Sequence, residues 1–517
     1  ARRKRFQFAM ADAQKQIRFG AALTRTIFLA RRLKKEWGQD ERVGILLPPS
    51  IAGALVNFAA MLSGKIPVNL NYTLTSDGIA SCVQQCGIRT IISSTAFRQK
   101  VSVEVPGDIV YLEDLVKDAS FAARVTSLAM SWLLPVSLLE QALRGNRKRT
   151  DLDDVATVIF SSGSTGEPKG VMLTHYNIGS NIAQLAQCFA FTKRDRILGV
   201  LPFFHSFGFT GTMALPLICG TGVVYHPDPR DARTIGTLVS QYSVTFLLST
   251  PTFLQMYTRR CAPEHFGSIR LVMVGAEKMQ ERTAQAFQDK FGIRPLEAYG
   301  CTECSPAVTV NTNDFRAAGF RQTGSKRGKI GHALPGVSIR IVDPDGLQMV
   351  PVGSQGLLLV RGPNVMKGYL GRPKETANVI REGWYVTGDI ATLDEDGFLE
   401  ITDRLSRFSK IGGEMVPHMK VEEKLQELVE SGEQVFAVTS APDEKKGERL
   451  LVLHTLAEDR LTMCLSRLNE TGLPNLWIPR QDAFFRVESL PCLGSGKLDL
   501  RRIRETAQDL AFQRSAL

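Results

Sequence analysis

Over roughly its first 300 residues the chain alternates short β-branched runs with longer helical patterns. The runs are RVGILL at 42–47, TIIS at 90–93, VATVIF at 155–160, RILGVLP at 196–202, GVVYH at 222–226, TFLLS at 245–249 and LVMVG at 271–275. Between them lie apolar or amphipathic stretches such as IAGALVNFAAMLSGK (51–65) and TIGTLVSQY (234–242). That alternation predicts an α/β fold of mainly parallel sheets covered by helices.

The pattern changes after about residue 325. GVSIRIVDPDG, GLLLVRGPNVMKGY and GFLEITDR read as strand–turn–strand units punctuated by Asp-Gly, as in a small antiparallel β-barrel. Beyond residue 405 a helix (KVEEKLQELVES), two strands (VFAVTSA, RLLVLHTL) and a last basic helix predict a separate, smaller α+β domain. The expected division is therefore 1–403, with the barrel at about 325–403, and 404–517.

At 517 residues the chain has room for two or three domains. No stretch reaches the roughly 18–20 apolar residues of a membrane-spanning helix. The nearest, VTSLAMSWLLPVSLL at 125–139, is uncharged but interrupted by Pro135 and followed by RGNRKR at 144–149. It reads either as a surface helical hairpin resting on the core or as an interfacial membrane contact. Net charge is +11, with further basic clusters at 2–5 and 31–35. This favours an anionic partner, either lipid headgroups or an acidic protein; no nucleic-acid-binding signature accompanies the clusters. Nine irregularly spaced cysteines are no disulfide framework and predict a reducing, cytoplasmic setting. Cys301 and Cys304 form a C-x-x-C, but without a second pair it is a poor zinc or redox site. No signal peptide is recognisable, and the chain starts at Ala1, which leaves a preceding segment open.

The chemistry begins at SSGSTGEPKG, 161–170, directly after a predicted strand. Glycines Gly163 and Gly166 let backbone N–H groups turn towards an anion; Ser161, Ser162, Ser164 and Thr165 add hydroxyl donors, and Lys169 adds charge. The order is not that of the common P-loop, since no hydroxyl follows the lysine to hold magnesium. Four further motifs follow: YGCTEC at 299–304, WYVTGDI at 384–390, RLSRFSKIGG at 404–413 and GSGKLDL at 494–500. Together these five resemble the adenylate-forming superfamily of acyl-CoA synthetases, luciferases and peptide-synthetase adenylation domains, over essentially the whole chain. LPFFHSFGFT, VGAEKMQE, FSKIGGEMV and LGSGKLD are most similar to the synthetase half of bacterial 2-acylglycerophosphoethanolamine acyltransferase/acyl-ACP synthetases. Those proteins carry an acyltransferase motif H-x-x-x-x-D ahead of the synthetase half, whereas the first histidine here is His175, already at the phosphate loop, so the expectation is either a stand-alone synthetase or part of the bifunctional chain.

The resemblance implies ATP and Mg2+ as cofactors and assigns roles residue by residue. Residues 161–170 would hold the β- and γ-phosphates, Thr302 the α-phosphate, and Glu303 the magnesium ion. Tyr299, next to Gly300, would stack on adenine, with Gly275, Ala276 and Glu277 lining the base. Asp389 and Arg404 would contact the ribose. Lys497 would bridge the substrate carboxylate and the α-phosphate, where a point charge stabilises the approach of two anions. The C-terminal domain would be a mobile lid turning about Ser406, where the family usually has Asp or Lys, to bring Lys410 to the site for thioester formation. His205 would orient or gate the acyl substrate beside an apolar stretch, GFTGTMALPLICGTG, suited to an alkyl chain. The implied activity is a fatty-acid ligase that forms an acyl-adenylate and hands the acyl group to acyl carrier protein. A long-chain acyl-CoA synthetase using CoA is the alternative, and a non-catalytic membrane-associated binding protein the second. The expected location is cytoplasmic, with a peripheral contact on anionic membrane.

Overall fold

In a computed structural model, which describes all residues except 118, 146–149, 163–166, 413, 430–433, 444–445, 472, 493–497 and 516–517, the chain divides into two compact units. The first comprises residues 1–339, 360–385 and 396–399; the second comprises 340–359, 386–395 and 400–517.

Six of the seven predicted runs fall into two sheets with parallel cores. The larger has nine strands, in the order His332–Ala333, Ala307–Val310, Leu296–Gly300, Leu271–Val274, Phe246–Ser249, Arg196–Gly199, Gly222–Tyr225, Phe8–Ala11 and Gln16–Arg18. Its central pairs are parallel, and the antiparallel pairs lie towards its two edges. The second sheet is all parallel: Ile66–Asn69, Arg42–Ile45, Thr90–Ser93, Asp108–Tyr111. Strands such as Phe246–Ser249 and Leu271–Val274 are buried at every residue, because helices cover both faces of a parallel sheet. Leu198, Val224, Leu247 and Val272 meet Ile235, Leu254, Tyr257 and Phe287 from the helices in one apolar cluster. Cys82 and Cys86 are core side chains of the second sheet, and burial pushes both thiols up to about 12.

The seventh run differs. Val155–Ser162 pairs antiparallel with Pro168–Thr174, from Val155 opposite Thr174 to Ser162 opposite Pro168. The glycine–hydroxyl loop therefore lies between two strands of a hairpin, not between a strand and a helix. Gly368–Tyr369 pairs with the outer side of that hairpin, Tyr369 opposite Val171.

The stretch at 125–139 forms two helices, Phe121–Leu133 and Val136–Arg144, separated at Pro135. Proline keeps the preceding Leu134 extended, so one helix cannot run through. Among the described residues no helix is long and apolar enough to cross a membrane.

In the second unit a sheet ordered Glu414–Pro417, Phe408–Ile411, Gly447–His454, Phe436–Asp443, with Phe484–Arg486 beside Gly447–His454, encloses its own core. Val416, Val421, Leu425, Phe436, Val438 and Val452 fill it on one side. Ile503, Ala507 and Ala511 of the last helix close the other.

A buried carboxylate paired with a part-exposed arginine locks the large sheet. Asp195 is 3% exposed and accepts bidentate hydrogen bonds from Arg270 at 2.8 and 3.0 Å, with others from Thr245 Oγ1 and the Thr192 amide. Burial raises its pKa, but Arg270 and the threonine donors outweigh burial and hold the carboxyl down to about 2. The folded-state value lies below the unfolded 3.8, so the stabilisation is complete above about pH 4 and is lost as pH falls through about 2. Asp195→Asn is expected to lower unfolding free energy by about 2 kcal/mol at neutral pH. Denaturant melts of both proteins should show that difference closing between pH 4 and pH 2.

Candidate active site

Four neighbouring strands of the large sheet run parallel and end on one edge: Arg196–Gly199, Phe246–Ser249, Leu271–Val274 and Leu296–Gly300. Open α/β sheets bind ligands beyond the carboxyl ends of their strands. His205 and Gly275–Glu277 follow such ends, and Tyr299–Glu303 spans the last of them. The Gly275 amide donates to Ser249 O of the adjacent strand at 3.2 Å. Ala276 has a left-handed backbone, φ +71°, a conformation that strains a non-glycine residue and clusters at functional sites. Glu277 accepts from the Thr252 amide and hydroxyl, at 3.3 and 2.7 Å. His205 is exposed rather than buried among its phenylalanines, and its Nδ1 accepts from the Phe207 amide at 3.2 Å.

Beyond Tyr299 the chain reverses sharply. A Cβ on Gly300 would stand 2.1 Å from Pro306 O, so glycine is required there. Buried asparagines hold the reversal. Asn181 exchanges two hydrogen bonds with the backbone of Ala307 (2.8 and 3.1 Å), and Asn364 donates to Cys304 O and Ala307 O (3.0 and 2.9 Å). Asn177 donates to Pro363 O and Val365 O, both at 2.8 Å, which fixes the segment carrying Asn364. Met366 N then donates to Glu303 O at 2.7 Å.

The short turn Thr302–Cys304 so held presents two of the expected residues. Thr302 Oγ1 lies 3.4 Å from Ser206 Oγ. Glu303 is only 8% exposed, and its Oε1 accepts from the Tyr369 phenol at 3.0 Å. Burial and the Glu303 charge push the Tyr369 phenol far above its ordinary value, so it remains a donor; Tyr385 hydrogen-bonds to it in turn. Lys169 Nζ lies 5.4 Å from the centre of the same Tyr369 ring and 2.8 Å from Glu375 Oε2. Glu375 also accepts from Arg372 at 3.0 Å, and Arg372 reaches Glu167 at 3.0 Å. Lys169 and Arg372 together hold the Glu375 carboxyl below its usual range. One tyrosine thus joins the expected phosphate lysine to the expected magnesium carboxylate.

Tyr369, Glu375, Arg372 and the three asparagines are missing from the sequence-based set. Tyr369 reads in sequence as one residue of a strand; only its pairing opposite Val171, nearly 200 positions away, places its ring between Lys169 and Glu303.

In the second unit Asp389 is buried and pairs with Arg404 Nε at 3.2 Å. Its amide donates to Thr387 Oγ1 at 3.0 Å, and the φ of +75° at Gly388 makes the turn that aims it. Just after Arg404, Arg407 Nη2 meets the buried Glu422 at 2.5 Å, and Asp403 accepts from the Met419 amide at 2.6 Å. Burial raises the Asp403 carboxyl to about 6, with Arg407 opposing it. This anchorage beside Ser406 was not legible from the motif. Ser161 is half-buried and opposite Lys169 in the hairpin. Gly163, Ser164, Thr165, Gly166 and Lys497 lie outside the described residues, as do the side chains of Ser162, Ser406 and Lys410.

The residues present fit magnesium carried with a nucleotide. Mg2+ is bound by one or two hard carboxylates together with phosphates. Glu303 offers one oriented carboxylate, and among the described residues no group of three or more His, Cys, Asp or Glu forms an all-protein metal cage.

A model of the AMP-binding enzyme family matches residues 1–370. A long-chain-fatty-acid–CoA ligase of Yersinia pestis is 29% identical over 500 residues, covering 90% of this chain and 85% of that protein. A feruloyl-CoA synthase of Amycolatopsis is 33% identical over 355 residues, 67% of this chain and 69% of its own length. Among solved structures, ATP-bound MatB of Rhodopseudomonas palustris superposes with a TM-score of 0.80 at 24% identity, covering 98% of this chain and 96% of that one. The o-succinylbenzoate CoA synthetase MenE of Bacillus subtilis, in complex with ATP and a magnesium ion, gives a TM-score of 0.75 at 23% identity, with 96% of each chain covered. At these identities the structures establish the α/β fold.

Two substitutions separate the contacts at Tyr369 and Glu375. Tyr369→Phe removes a hydrogen bond to a charged group and should weaken magnesium-dependent ATP binding about tenfold, about 1.4 kcal/mol, in calorimetric titration. Glu375→Gln removes the carboxylate that competes for Lys169 and should tighten ATP binding a fewfold, on the order of 0.5–1 kcal/mol.

Proposed function

Because this chain belongs to the AMP-binding enzyme family, we propose that it is an ATP- and magnesium-dependent acid–thiol ligase that activates a long-chain fatty acid. A carboxylate is a stable anion and resists attack by a thiol. Displacing pyrophosphate from the α-phosphate of ATP converts it into an acyl-adenylate, a mixed anhydride that a thiol can open. Two anions must meet in that step, so the protein's contribution is charge neutralisation and positioning.

The observation that carries the reading is the buried Glu303 carboxylate oriented by Tyr369, with Lys169 over the same ring. Magnesium held there supplies Lewis-acid stabilisation of the phosphates. Lys169 and the loop 163–166 hold the leaving pyrophosphate, and Thr302 holds the α-phosphate. Tyr299 and residues 275–277 receive the base, and Asp389 with Arg404 the ribose. Lys497 joins the two reacting anions. The lid beyond residue 404 then turns at Ser406 and brings Lys410 in for thioester formation, while His205 orients the acyl chain.

Acyl carrier protein is the proposed acceptor, on the motif resemblance and on a net charge of +11, which suits an acidic carrier. Free CoA is the second reading, favoured by the names of the relatives, which include long-chain-fatty-acid–CoA ligases of Yersinia pestis and Bacillus subtilis. Supplying one fatty acid, ATP and magnesium with either CoA or carrier protein, and identifying the thioester by mass, separates the two. Carrier acylation that falls with added salt supports the first, and efficient CoA-thioester formation without carrier overturns it.

Lys497→Ala is expected to lower fatty-acid-dependent pyrophosphate exchange about a hundredfold. A loss of no more than half would remove Lys497 from the adenylation step.

A further inference from the structure

The helix Phe121–Leu133 is amphipathic the wrong way round for a protein in water. Its inward face is made of small polar residues: Ser127 is fully buried and Ser131 is 3% exposed. They are satisfied by the neighbouring helix Phe19–Trp37. Ser131 Oγ lies 2.8 Å from Thr24 Oγ1, and Arg31 donates to Ser127 Oγ and Ala123 O at 3.1 and 3.2 Å. The outward face carries Phe121, Val125, Leu128 and Trp132, spaced four, three and four residues apart and therefore in one stripe. Phe121 is 82% exposed, and the stripe continues into Leu133, at 79%, and then the exposed Val136 and Leu138. Contiguous apolar surface of this kind marks an interaction site.

The charge along the stripe itself is of one sign. No Asp or Glu occurs from Phe121 to Leu139. Arg2 donates to Ser131 O and Met130 O at the end of the helix, at 2.9 and 3.0 Å, and the Arg5 guanidinium lies 4.0 Å from the centre of the Trp132 ring. Arg3 and Arg124 are exposed beside them, and Lys34 reaches Ala142 O of the next helix. Phe6, also exposed, follows this basic turn directly. An apolar stripe with cations beside it and no acid along its own length is the complement of an acyl–headgroup boundary with negative headgroups. The helix is too short to span a bilayer, so it would lie in the interface.

We propose that the outward face of the helix Phe121–Leu133, with the basic residues of the N-terminal turn beside it, docks the protein on an anionic phospholipid bilayer. This docking is independent of the ligase reading, since it uses none of the residues placed in the site. The test is co-sedimentation of the full chain with vesicles of phosphatidylcholine alone or mixed equally with phosphatidylglycerol, with tryptophan emission followed in parallel. Binding to the anionic vesicles should be at least about tenfold tighter, should weaken in about 0.5 M salt, and should shift emission to the blue. Trp132→Phe should abolish most of that shift while binding persists. The double variant Leu128→Glu, Leu133→Glu should lose at least about tenfold in vesicle affinity while its melting temperature and ATP binding stay as in the parent. Absence of binding, equal binding to both vesicles, or full binding by the double variant overturns the proposal. So does self-association without lipid that the double variant abolishes, which would assign the face to a second copy of the chain.

Discussion

A carboxylate that meets almost no water must be given donors by the protein, and the large unit is arranged around that requirement at Glu303. The phenol of Tyr369 takes one oxygen, and the turn that carries Glu303 is pinned through Cys304 and Ala307 by the amides of Asn364 and Asn181. Asn177 fixes the Asn364 segment in turn. These contacts join a helix, a strand reversal and a returning segment that lie far apart in the chain. Their product is one carboxylate in one orientation, which is what a hard cation with strict geometry demands.

The lysine of the glycine–hydroxyl loop is already neutralised. Its partner Glu375 belongs to an ion group with Arg372 and Glu167, so under the proposed role a phosphate arriving at Lys169 would exchange one anion for another. Such an exchange avoids a bare ammonium in a half-buried place, and it makes phosphate affinity a difference between two ion pairs. Because Lys169 and Glu303 share the ring of Tyr369, movement of that ring reaches both at once.

Much of the fold was legible because it follows local periodicity. Segments such as TFLLS and LVMVG are apolar at successive residues and short, and they became buried parallel strands. VATVIF has the same texture, yet it became half of an antiparallel hairpin. Nothing in a strand's own composition states its partner's direction; the pairing with Pro168–Thr174 does. The stretch at 125–139 was legible as a hairpin broken at Pro135, whereas the side on which its apolar residues lie was not. Its buried serines are chosen by Thr24 and Arg31, about 100 residues earlier.

The sequence alone determined the class of fold and the motif residues, because strand runs, glycine turns and the spacing around Glu303, Asp389 and Lys169 are local properties of the chain. Only the tertiary structure decided which groups stand beside them. Tyr369 serves Glu303, and Glu375 occupies Lys169, because Gly368–Tyr369 pairs with the strand beginning at Pro168. Contacts of that length depend on strand order and register, which the hydrophobic pattern of neither segment encodes by itself.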